Sequence, residues 1–476
     1  MSAPKGPTLT DATGLGGIIA QDGFDYQVWD ALVRLPAWLR NPAFEGVAIE
    51  VLEDVEARFF SPKSPAHHLL DRYQAKSGVL GRADLIEVFK AFLKFETAHP
   101  RVARVQTLVA PALPATLSWL SRDPGRVRRA RPFYEPFADV RAASDDKLRS
   151  DLVSEFGQPL GDFFAEAIEI SLRPVCDRAT AEASFSAVLH QEFPDLDVSG
   201  RKVGVAFAAL SDLISQRRGV MVSRPLLLDT LRDSLGAELI PDRSLLHVHV
   251  RSDRNGEMPD AIEIEGSAFS GGSTGFPEAE RWRTQLREPL VATASWARKN
   301  GSDRILLSGS YRLTTAFLLG WAFRSAIGFE IDIPTKGGSW ATDLHPPAGG
   351  SASAWSIQKP GALLGDRLVV GIGVLRDPAP DIRKFLSLRD DQVLLLATLP
   401  RALTDGTDAQ ASVQIVKGAI AQAAARLRPT AADLYYVGPA AFAVALGHRW
   451  NGLPSTQLHE FLPSEGKYVP TAFLRA

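Results

Sequence analysis

The sequence predicts an α/β protein of two to three domains, and three observations lead to this prediction. The chain has 476 residues, which is too many for one hydrophobic core. Apolar runs of strand length alternate with amphipathic helical segments in both halves of the chain. Hydrophobic residues make up 45% and charged residues 23% of the chain, which is the balance of an ordinary globular protein.

Charge and cysteine content exclude several classes of protein. Lys and Arg number 53 against 55 Asp and Glu, so any contact with nucleic acid has to come from a local patch. The single cysteine, Cys176, excludes a disulfide framework and any site built from several cysteines. The first residues lack the apolar core of a signal peptide, and no apolar run is long enough to cross a bilayer. We therefore expect a soluble cytoplasmic protein without a membrane partner.

The first 235 residues read as a small α/β unit followed by a helical extension. A helix is predicted from Asp22 to Arg40, where Pro36 ends or kinks it. Further predicted elements are strands at 47–60, 68–77 and 102–110 and helices at 85–97, 146–156, 160–172, 180–191, 203–217 and 224–235. A domain boundary is predicted near 236–243, which gives domains of 1–235 and 236–476.

The second domain alternates strands and helices. Strands are predicted at 245–250, 261–266, 304–309, 329–334, 367–374, 392–399, 433–438 and 455–461, and helices at 277–300, 313–326, 409–427 and 440–450. Two segments share one plan of strand, glycine turn, small-residue helix with an inner glycine, and strand. Their inner glycines are Gly320 and Gly447. Units of this kind build open parallel sheets that bind ligands at the carboxyl ends of the strands.

Acidic and amide side chains in the first domain suggest metal-dependent chemistry. Glu50 and Asp54 lie four residues apart on the strand predicted over 47–60, and therefore share a face, with Glu53 opposite or at a bend. Gln74 and Lys76 share a face of the next predicted strand. If these strands pair, a carboxylate, an amide oxygen and an ammonium group converge, which is the set that Mg²⁺-dependent phosphodiester cleavage requires. A solvated acidic surface is the alternative interpretation.

These residues resemble a known family. The segment IEVLEDV, followed about twenty residues later by RYQAKS, is similar to the PD-(D/E)XK nuclease core in its variant with glutamine before the lysine. The preceding GFDYQVWDAL resembles the first helix of double-stranded DNA endonuclease domains in bacterial anti-phage effectors. The resemblance implies a restriction-endonuclease-like core. The roles that it implies are metal binding (Mg²⁺ or Mn²⁺) by Asp54 and Gln74, catalysis by Lys76, and support by Glu50, Glu53 and Gln27.

An arginine cluster lies downstream in RDPGRVRRAR. Arg126, Arg128 and Arg129, flanked by Arg122 and Arg131, could neutralise several phosphates of a DNA duplex. A solvated basic loop is the alternative. Arg217, Arg218 and Arg224 are a weaker second candidate.

Loops of the second domain are candidates for anion binding. The loop from Ser308, Gly309 and Ser310 to Arg312 joins a predicted strand to a helix N-terminus, where backbone N–H groups favour anions. Gly438, Pro439 and Ala440 occupy the equivalent place in the second repeat. Lys336 and Trp340 could supply a cation and a face for base stacking. The alternatives are that Trp340 is a core residue and that the glycines only relieve crowding.

The segments at 306–331 and 438–461 resemble the SAVED domain, the cyclic-oligonucleotide sensor of bacterial CBASS defence, which fuses two CARF-like α/β units. The resemblance covers about residues 237–476. Together the two resemblances imply an anti-phage effector in which a cyclic tri- or other oligonucleotide activates an endonuclease that cuts double-stranded DNA, with ligand-induced homo-oligomerisation. The alternative is a nucleotide sensor whose N-terminal domain only binds nucleic acid or a partner.

One further motif is set aside. Residues 271–275 read Gly-Gly-Ser-Thr-Gly and match the pattern of serine hydrolases, which requires a sharp turn from strand to helix. Here the pattern lies in a glycine- and serine-rich stretch, so we expect no nucleophile there.

Overall fold

The computed structural model divides the chain into two units, residues 1–241 and 242–476. It describes residues 12–51, 54–64, 66–78, 80–130, 138–174, 177–236, 245–252, 258, 261–271, 275–335, 337–343, 355–388 and 393–475, and of residues 12–20, 129 and 130 only the backbone. Among these residues no helix is both long and apolar enough to span a bilayer.

A six-stranded sheet organises the first unit, with the strand order β5-β4-β3-β2-β1-β6. The strands are β1 (Phe44–Ile49), β2 (Val55–Phe60), β3 (His68–Ala75), β4 (Ala103–Ala110), β5 (Ile168–Leu172) and β6 (Val222–Ser223). Strands β1, β2 and β3 pair antiparallel, and β3, β4 and β5 run parallel. A helix connects β3 to β4, as a parallel crossover requires.

Helices cover both faces of this sheet. They are α1 (Ala12–Arg40), α2 (Arg82–Ala98), α3 (Asp123–Ala130), α4 (Ala138–Phe156), α5 (Leu160–Ala167), α6 (Arg178–Glu192), α7 (Gly200–Gln216) and α8 (Arg224–Leu235), with a 3₁₀ turn at Ala115–Ser121. Leu108 packs with α2, α4 and α5, whereas its neighbour Val109 packs with α1 and α6 to α8. Because adjacent strand residues point to opposite faces, the two hydrophobic clusters lie on opposite sides of the sheet.

Two of the predicted elements in this unit are wrong. The strand predicted over 47–60 is two strands, because the chain turns between Ile49 and Val55 and Glu50 adopts a left-handed backbone (φ 56°). The helix predicted over 160–172 ends at Ala167, and Ile168–Leu172 pairs with β4 instead. In addition, α1 continues through Pro36.

The first sheet of the second unit has five strands in the order β11-β10-β9-β7-β8. They are β7 (Leu245–Arg251), β8 (Ile262–Glu265), β9 (Arg304–Gly309), β10 (Glu330–Thr335) and β11 (Gly338–Ala341). All pairs are parallel except β10 with β11. The associated helices are α9 (Ala279–Arg281), a π-helical stretch (Trp282–Arg287), α10 (Glu288–Lys299) and α11 (Leu313–Ala322).

The second sheet of this unit has six strands in the order β12-β14-β13-β15-β16-β17. They are β12 (Ser356–Gln358), β13 (Arg367–Val374), β14 (Leu394–Leu399), β15 (Ala431–Val437), β16 (Thr456–Leu462) and β17 (Lys467–Leu474). The helices are α12 (Ala379–Leu386), α13 (Gly406–Leu427) and α14 (Ala440–His448). The sequence did not predict β11, β12, α12 or β17. The α/β class itself is confirmed.

Helices α11 and α14 join the two sheets by crossing at their inner glycines. A Cβ atom on Gly320 would lie 2.0 Å from the carbonyl oxygen of Val444, and one on Gly447 would lie 2.1 Å from that of Phe317. Each glycine therefore admits the backbone of the other helix. The two copies of the repeated plan therefore pack against each other through equivalent glycines of their equivalent helices, α11 and α14.

Candidate functional site

In the first unit, Asp54 lies where the start of β2 meets the end of β3. Its Oδ2 accepts a hydrogen bond from Gln74 Nε2 at 2.6 Å and a second from the backbone N–H of Ala75 at 2.7 Å. Val55 pairs with Tyr73 in the antiparallel register. Asp54, which precedes Val55, therefore comes opposite Gln74, which follows Tyr73. Local strand pairing thus brings together two residues that are twenty positions apart.

Lys76 completes this cluster from the end of β3. Its backbone N–H donates to the carbonyl oxygen of Val109 at 2.8 Å, which ties it to the neighbouring strand β4. Its ammonium charge acts on the Asp54 carboxylate. Asp54, Gln74 and Lys76 are all half-buried, so the cluster is accessible from solvent.

Glu50 joins the cluster through the turn between β1 and β2. Its backbone N–H donates to the carbonyl oxygen of Asp54 at 3.1 Å, which closes the turn. Its carboxylate is paired with the guanidinium group of Arg218. The shared face of Glu50 and Asp54 was predicted from a continuous strand, and that reason is wrong. A turn, not strand periodicity, places the two carboxylates near each other.

Burial raises the pKa of Asp54 above its ordinary value, and the nearby Glu50 charge raises it further. The N–H group of Ala75, the charge of Lys76 and the Gln74 amide act in the opposite direction. A carboxylate whose pKa is shifted by burial and that lies beside a charged partner is a candidate functional group.

Gln27 lies on α1, one helical turn after Phe24. The Phe24 ring is 4.8 Å from the Arg218 guanidinium group that pairs with Glu50. Because residues three positions apart share a face of a helix, Gln27 lies on the same side of α1 as Phe24. Gln27 Oε1 is buried and has no hydrogen-bond partner among the described residues. Glu53 lies outside the described residues.

The side chains of this cluster are of the chemical type that binds a hard divalent cation. Two carboxylates, from Asp54 and Glu50, and the buried amide oxygen of Gln27 are oxygen donors of the type that Mg²⁺ prefers, and Mg²⁺ commonly binds only one or two carboxylates and retains water. Over the part of the chain that the structure describes, no group of three or more His, Cys, Asp or Glu is arranged for metal binding. Gln74 presents its amide nitrogen, not its oxygen, to Asp54.

The arginine cluster forms part of helix α3 and has mixed roles. Arg128 donates to the carbonyl oxygens of Phe164 and Ala165 at 2.6 and 3.2 Å, so it caps the C-terminus of α5. Arg122 pairs with Asp123 at 2.7 Å, and Arg126 is exposed. The side chain of Arg129 and all of Arg131 lie outside the described residues. Arg126 is thus the described member that is best placed to contact an outside phosphate.

In the second unit, β9 ends at a tight loop. Gly309 has a φ of 102°, and a Cβ atom there would lie 2.2 Å from the carbonyl oxygen of Val250. Ser308 Oγ lies 2.7 Å from His247 Nε2 and 2.8 Å from His249 Nδ1. Ser310 is exposed. The hydroxyl group of Ser308 is therefore already engaged by two imidazoles, which the alternation of LLHVHV could have indicated.

The N-terminus of α11 is occupied by a side chain of the same unit. Glu460, on β16, is buried, and its Oε1 accepts from the backbone N–H of Thr314 at 2.6 Å. Its Oε2 lies 3.8 Å from Arg312 Nη2. Burial raises the pKa of Glu460, while the Thr314 N–H and Arg312 lower it. The anion site expected at this helix end thus holds a carboxylate, and sequence analysis missed Glu460.

Arg312 is held in place but still exposed. Its guanidinium carbon lies 5.4 Å from the centre of the Phe276 ring, and its side chain remains 41% exposed. Arg312 Nε is buried without a hydrogen-bond partner among the described residues. The side chain therefore keeps capacity to bind an anion beside its ion pair with Glu460.

The equivalent loop of the second repeat contains Gly438, Pro439 and Ala440, all half-buried. The hydroxyl group of Tyr436 donates to the carbonyl oxygen of Pro439 at 2.7 Å. Pro439 is the N-cap residue of α14, and its side chain makes no capping hydrogen bond. Of the two equivalent helix ends, that of α11 is the one at which a carboxylate accepts a backbone hydrogen bond among the described residues.

Trp340 lies on β11, opposite Ile333, and is half-buried rather than part of the core. Burial raises the pKa of Tyr311, in the β9–α11 loop, to about 12. Lys336 lies outside the described residues. The structure therefore leaves the Trp340 ring partly exposed, as a stacking surface requires.

Comparison with known proteins gives matches over most of the chain. Residues 289–474 match the family described as the "SMODS-associated and fused to various effectors sensor domain", SAVED. Two relatives named "CD-NTase-associated protein 4", from Acinetobacter sp. and Moraxella osloensis, are each 23% identical over 98% of this chain and 99% of their own.

Solved structures of similar fold match most of the chain. The Acinetobacter baumannii Cap4 SAVED/CARF-domain containing receptor with the cyclic trinucleotide 2′3′3′-cAAA matches with a TM-score of 0.78, at 20% identity over 95% of this chain and 99% of that chain. The Moraxella osloensis Cap4 receptor matches with a TM-score of 0.73, at 20% identity over the same shares. The chain thus has the fold of these receptors.

Proposed function

We propose that this chain is a cyclic-oligonucleotide-activated, Mg²⁺- or Mn²⁺-dependent endonuclease that cuts double-stranded DNA in a bacterial CBASS anti-phage system and acts in the cytoplasm. The observation that carries the proposal is the convergence of Asp54, Gln74 and Lys76 where the start of β2 meets the end of β3, in a chain whose residues 289–474 match a sensor family.

The first unit supplies the groups that phosphodiester hydrolysis needs. Asp54, with Glu50 and Gln27 as supporting ligands, would hold the metal ion, which when bound polarises the phosphate and activates water. Lys76 orients the attacking water and stabilises the charge that develops on the phosphate. The hydrogen bond from Ala75 fixes the direction of the Asp54 carboxylate. Gln74 becomes a metal ligand only after its amide rotates by half a turn, and it otherwise orients Asp54.

The second unit supplies the switch. The Cap4 receptors of similar fold are solved with cyclic trinucleotides, and we propose the same class of ligand here. Arg312, Trp340 and the N-terminus of α14 would contact its phosphates and bases. A ligand activates only if it binds the active state more tightly than the resting one. Ligand-induced self-association meets this condition, and it brings together the two single-strand cutting sites that a duplex break needs.

The first experiment tests both halves of the proposal. Lys76→Ala and Asp54→Asn should each abolish plasmid cleavage in the presence of Mg²⁺ and a cyclic trinucleotide, because one removes the charge and the other weakens metal binding. Affinity for the nucleotide, measured by calorimetry, should stay within about twofold of the wild type because the residues lie in the other unit. The control is Lys94→Ala, an exposed lysine on α2.

Light scattering run beside the cleavage assay tests the coupling. Particle mass should rise when the nucleotide is added, and cleavage should rise with it. Cleavage that survives Lys76→Ala would contradict the nuclease assignment. Nucleotide binding with no cleavage in any condition would instead favour the alternative, a sensor whose first unit only binds nucleic acid or a partner.

A further inference from the structure

The segment 217–223, between α7 and α8, is tied to the turn that carries the acidic residues of the candidate nuclease site. The backbone N–H of Gly219 donates to the carbonyl oxygen of Ile49 at 2.9 Å. The short strand β6 pairs with β1 through Val222 opposite Val47. The helical extension therefore touches the site directly at the position where β1 ends and Glu50 begins the turn.

Arg218, in this segment, neutralises Glu50. Its Nε is paired with Glu50 Oε2, and its guanidinium carbon lies 4.8 Å from the centre of the Phe24 ring. Glu50 is held in a left-handed backbone conformation, so the turn presents its carboxylate to this arginine. The Arg218 side chain is 58% exposed, which leaves it able to move away without opening the core.

The charges around Asp54 balance while this ion pair holds. Among the described residues, Asp54 and Glu50 face two cations, Lys76 and Arg218. A divalent cation gains most from a site with excess negative charge, and a guanidinium group on a ligand carboxylate competes for the same oxygen atoms. Departure of Arg218 would leave the three remaining groups with a net negative charge.

We propose that Arg218 is a further positioning residue of the nuclease site, which holds Glu50 out of the metal ligand set in the resting chain. This inference rests on the proposed function. Release of Arg218 frees the Glu50 carboxylate for the metal ion and the guanidinium group for a DNA phosphate.

Arg218 lies near the end of the first unit along the chain. Helix α8 begins six residues after Arg218 and ends at Leu235, immediately before the segment that leads into the second unit. Arg218 is thus the residue of the site that lies nearest along the chain to the sensor unit.

Titration of the full chain with Mn²⁺ alone, without nucleotide, tests the proposal by calorimetry. Arg218→Gln should tighten Mn²⁺ binding by about threefold to tenfold, the size expected for removing one partly exposed charge beside the ion. Arg217→Gln is the matched control, since Arg217 is exposed, carries the same charge and pairs with no carboxylate in the described part of the chain. Arg218→Lys keeps the charge and should leave the affinity close to that of the wild type.

A purely structural role for Arg218 predicts the opposite result, because losing the support of the turn would weaken Mn²⁺ binding. Equal or weaker Mn²⁺ binding by Arg218→Gln, with a melting temperature like that of the wild type, would overturn the inference. Asp54→Asn separates this failure from that of the proposed function. If Asp54→Asn loses Mn²⁺ binding, the metal site stands whatever Arg218→Gln does. If it binds Mn²⁺ as the wild type does, the metal site and the inference both fail.

Discussion

At the scale of single residues, the chemistry of this protein depends on how acidic groups are compensated. Asp54 is compensated by an amide, a backbone N–H and Lys76, and Glu50 by Arg218. Glu460, buried within the second unit, is compensated by Thr314 and Arg312. A buried carboxylate needs such partners because desolvation of its charge is unfavourable. Arg312 thus has two roles, one structural and one proposed for ligand binding.

The dual role of Arg312 leads to a prediction about two substitutions. Arg312→Gln should lower affinity for a cyclic trinucleotide about tenfold, the effect of losing one charge-assisted hydrogen bond. Arg312→Glu should also lower the melting temperature, because it places a second carboxylate beside the buried Glu460. Calorimetry and thermal unfolding measure the two effects.

Arg304→Gln provides the control for Arg312, since Arg304 begins β9, at the other end of the strand, and pairs with Asp332 on the surface. Its nucleotide affinity should equal that of the wild type. If Arg312→Gln also binds like the wild type, Arg312 is only a structural partner of Glu460.

At the scale of elements, close helix packing joins the two sheets of the second unit. Helices α11 and α14 are short and apolar, and their crossing depends on glycine at equivalent positions. Neither Gly320 nor Gly447 has a positive φ, so backbone conformation does not require glycine at these positions. Glycine is needed because the two helix backbones approach too closely for a side chain. The repeated plan seen in the sequence therefore has a packing function.

We expect Gly447→Ala to destabilise the second unit by about 2–3 kcal/mol, because the added methyl group meets the backbone of α11 and overpacks a tight contact. The matched control is Gly418→Ala, within α13, where nothing lies within 4 Å of the added Cβ. That substitution should stabilise the chain by about 0.5–1 kcal/mol, since alanine favours a helix interior. Urea unfolding checks both signs, and equal effects of the two changes would contradict the packing argument.

At the scale of the whole molecule, the buried His448 and the half-buried His459 make stability depend on pH. Burial lowers the pKa of His448 to about 4, although the backbone carbonyl oxygen of Phe323 accepts a hydrogen bond from the ring. Burial also lowers the pKa of His459 to about 4. Both imidazoles are neutral in the folded chain, whereas an unfolded histidine takes a proton near its ordinary pKa of about 6.5.

Because the unfolded state binds these protons first, the second unit should lose stability as the pH falls from about 6.5 to about 4. Each histidine contributes up to roughly 3 kcal/mol over this range. The raised pKa of Glu460 acts in the opposite direction, since the folded state regains stability when that carboxyl group takes a proton. The net loss of stability should therefore be smaller than the sum of the contributions of the two histidines.

His459→Phe isolates one of these contributions, because phenylalanine preserves stacking on Tyr435, whose ring centre lies 4.4 Å away, and cannot take a proton. Thermal unfolding between pH 7 and pH 4.5 should show a shallower decline than in the wild type. His190→Gln, at an exposed position, should leave the slope unchanged. Identical slopes for wild type and His459→Phe would refute the assignment of this titration.

The sequence by itself determined the α/β class, the strands from Arg304 to Gly309 and from Arg367 to Val374, and the repeated plan with its inner glycines. These features are local, because periodicity and turn residues act over a few positions. It also singled out Asp54, Gln74 and Lys76, which the structure brings together where β2 begins and β3 ends. The reason given for including Glu50 was wrong, because a turn and not a continuous strand places it there.

Only the tertiary structure decided how charged groups are paired. Arg218 is 168 positions from Glu50, Glu460 is 146 positions from Thr314, and Arg128 caps a helix more than thirty positions away. No local pattern encodes such pairs, because a charged side chain has the same appearance in a sequence whether it faces water or a distant partner. Strand order and helix packing select the partner, and with it they decide which charges hold the fold and which remain for a ligand.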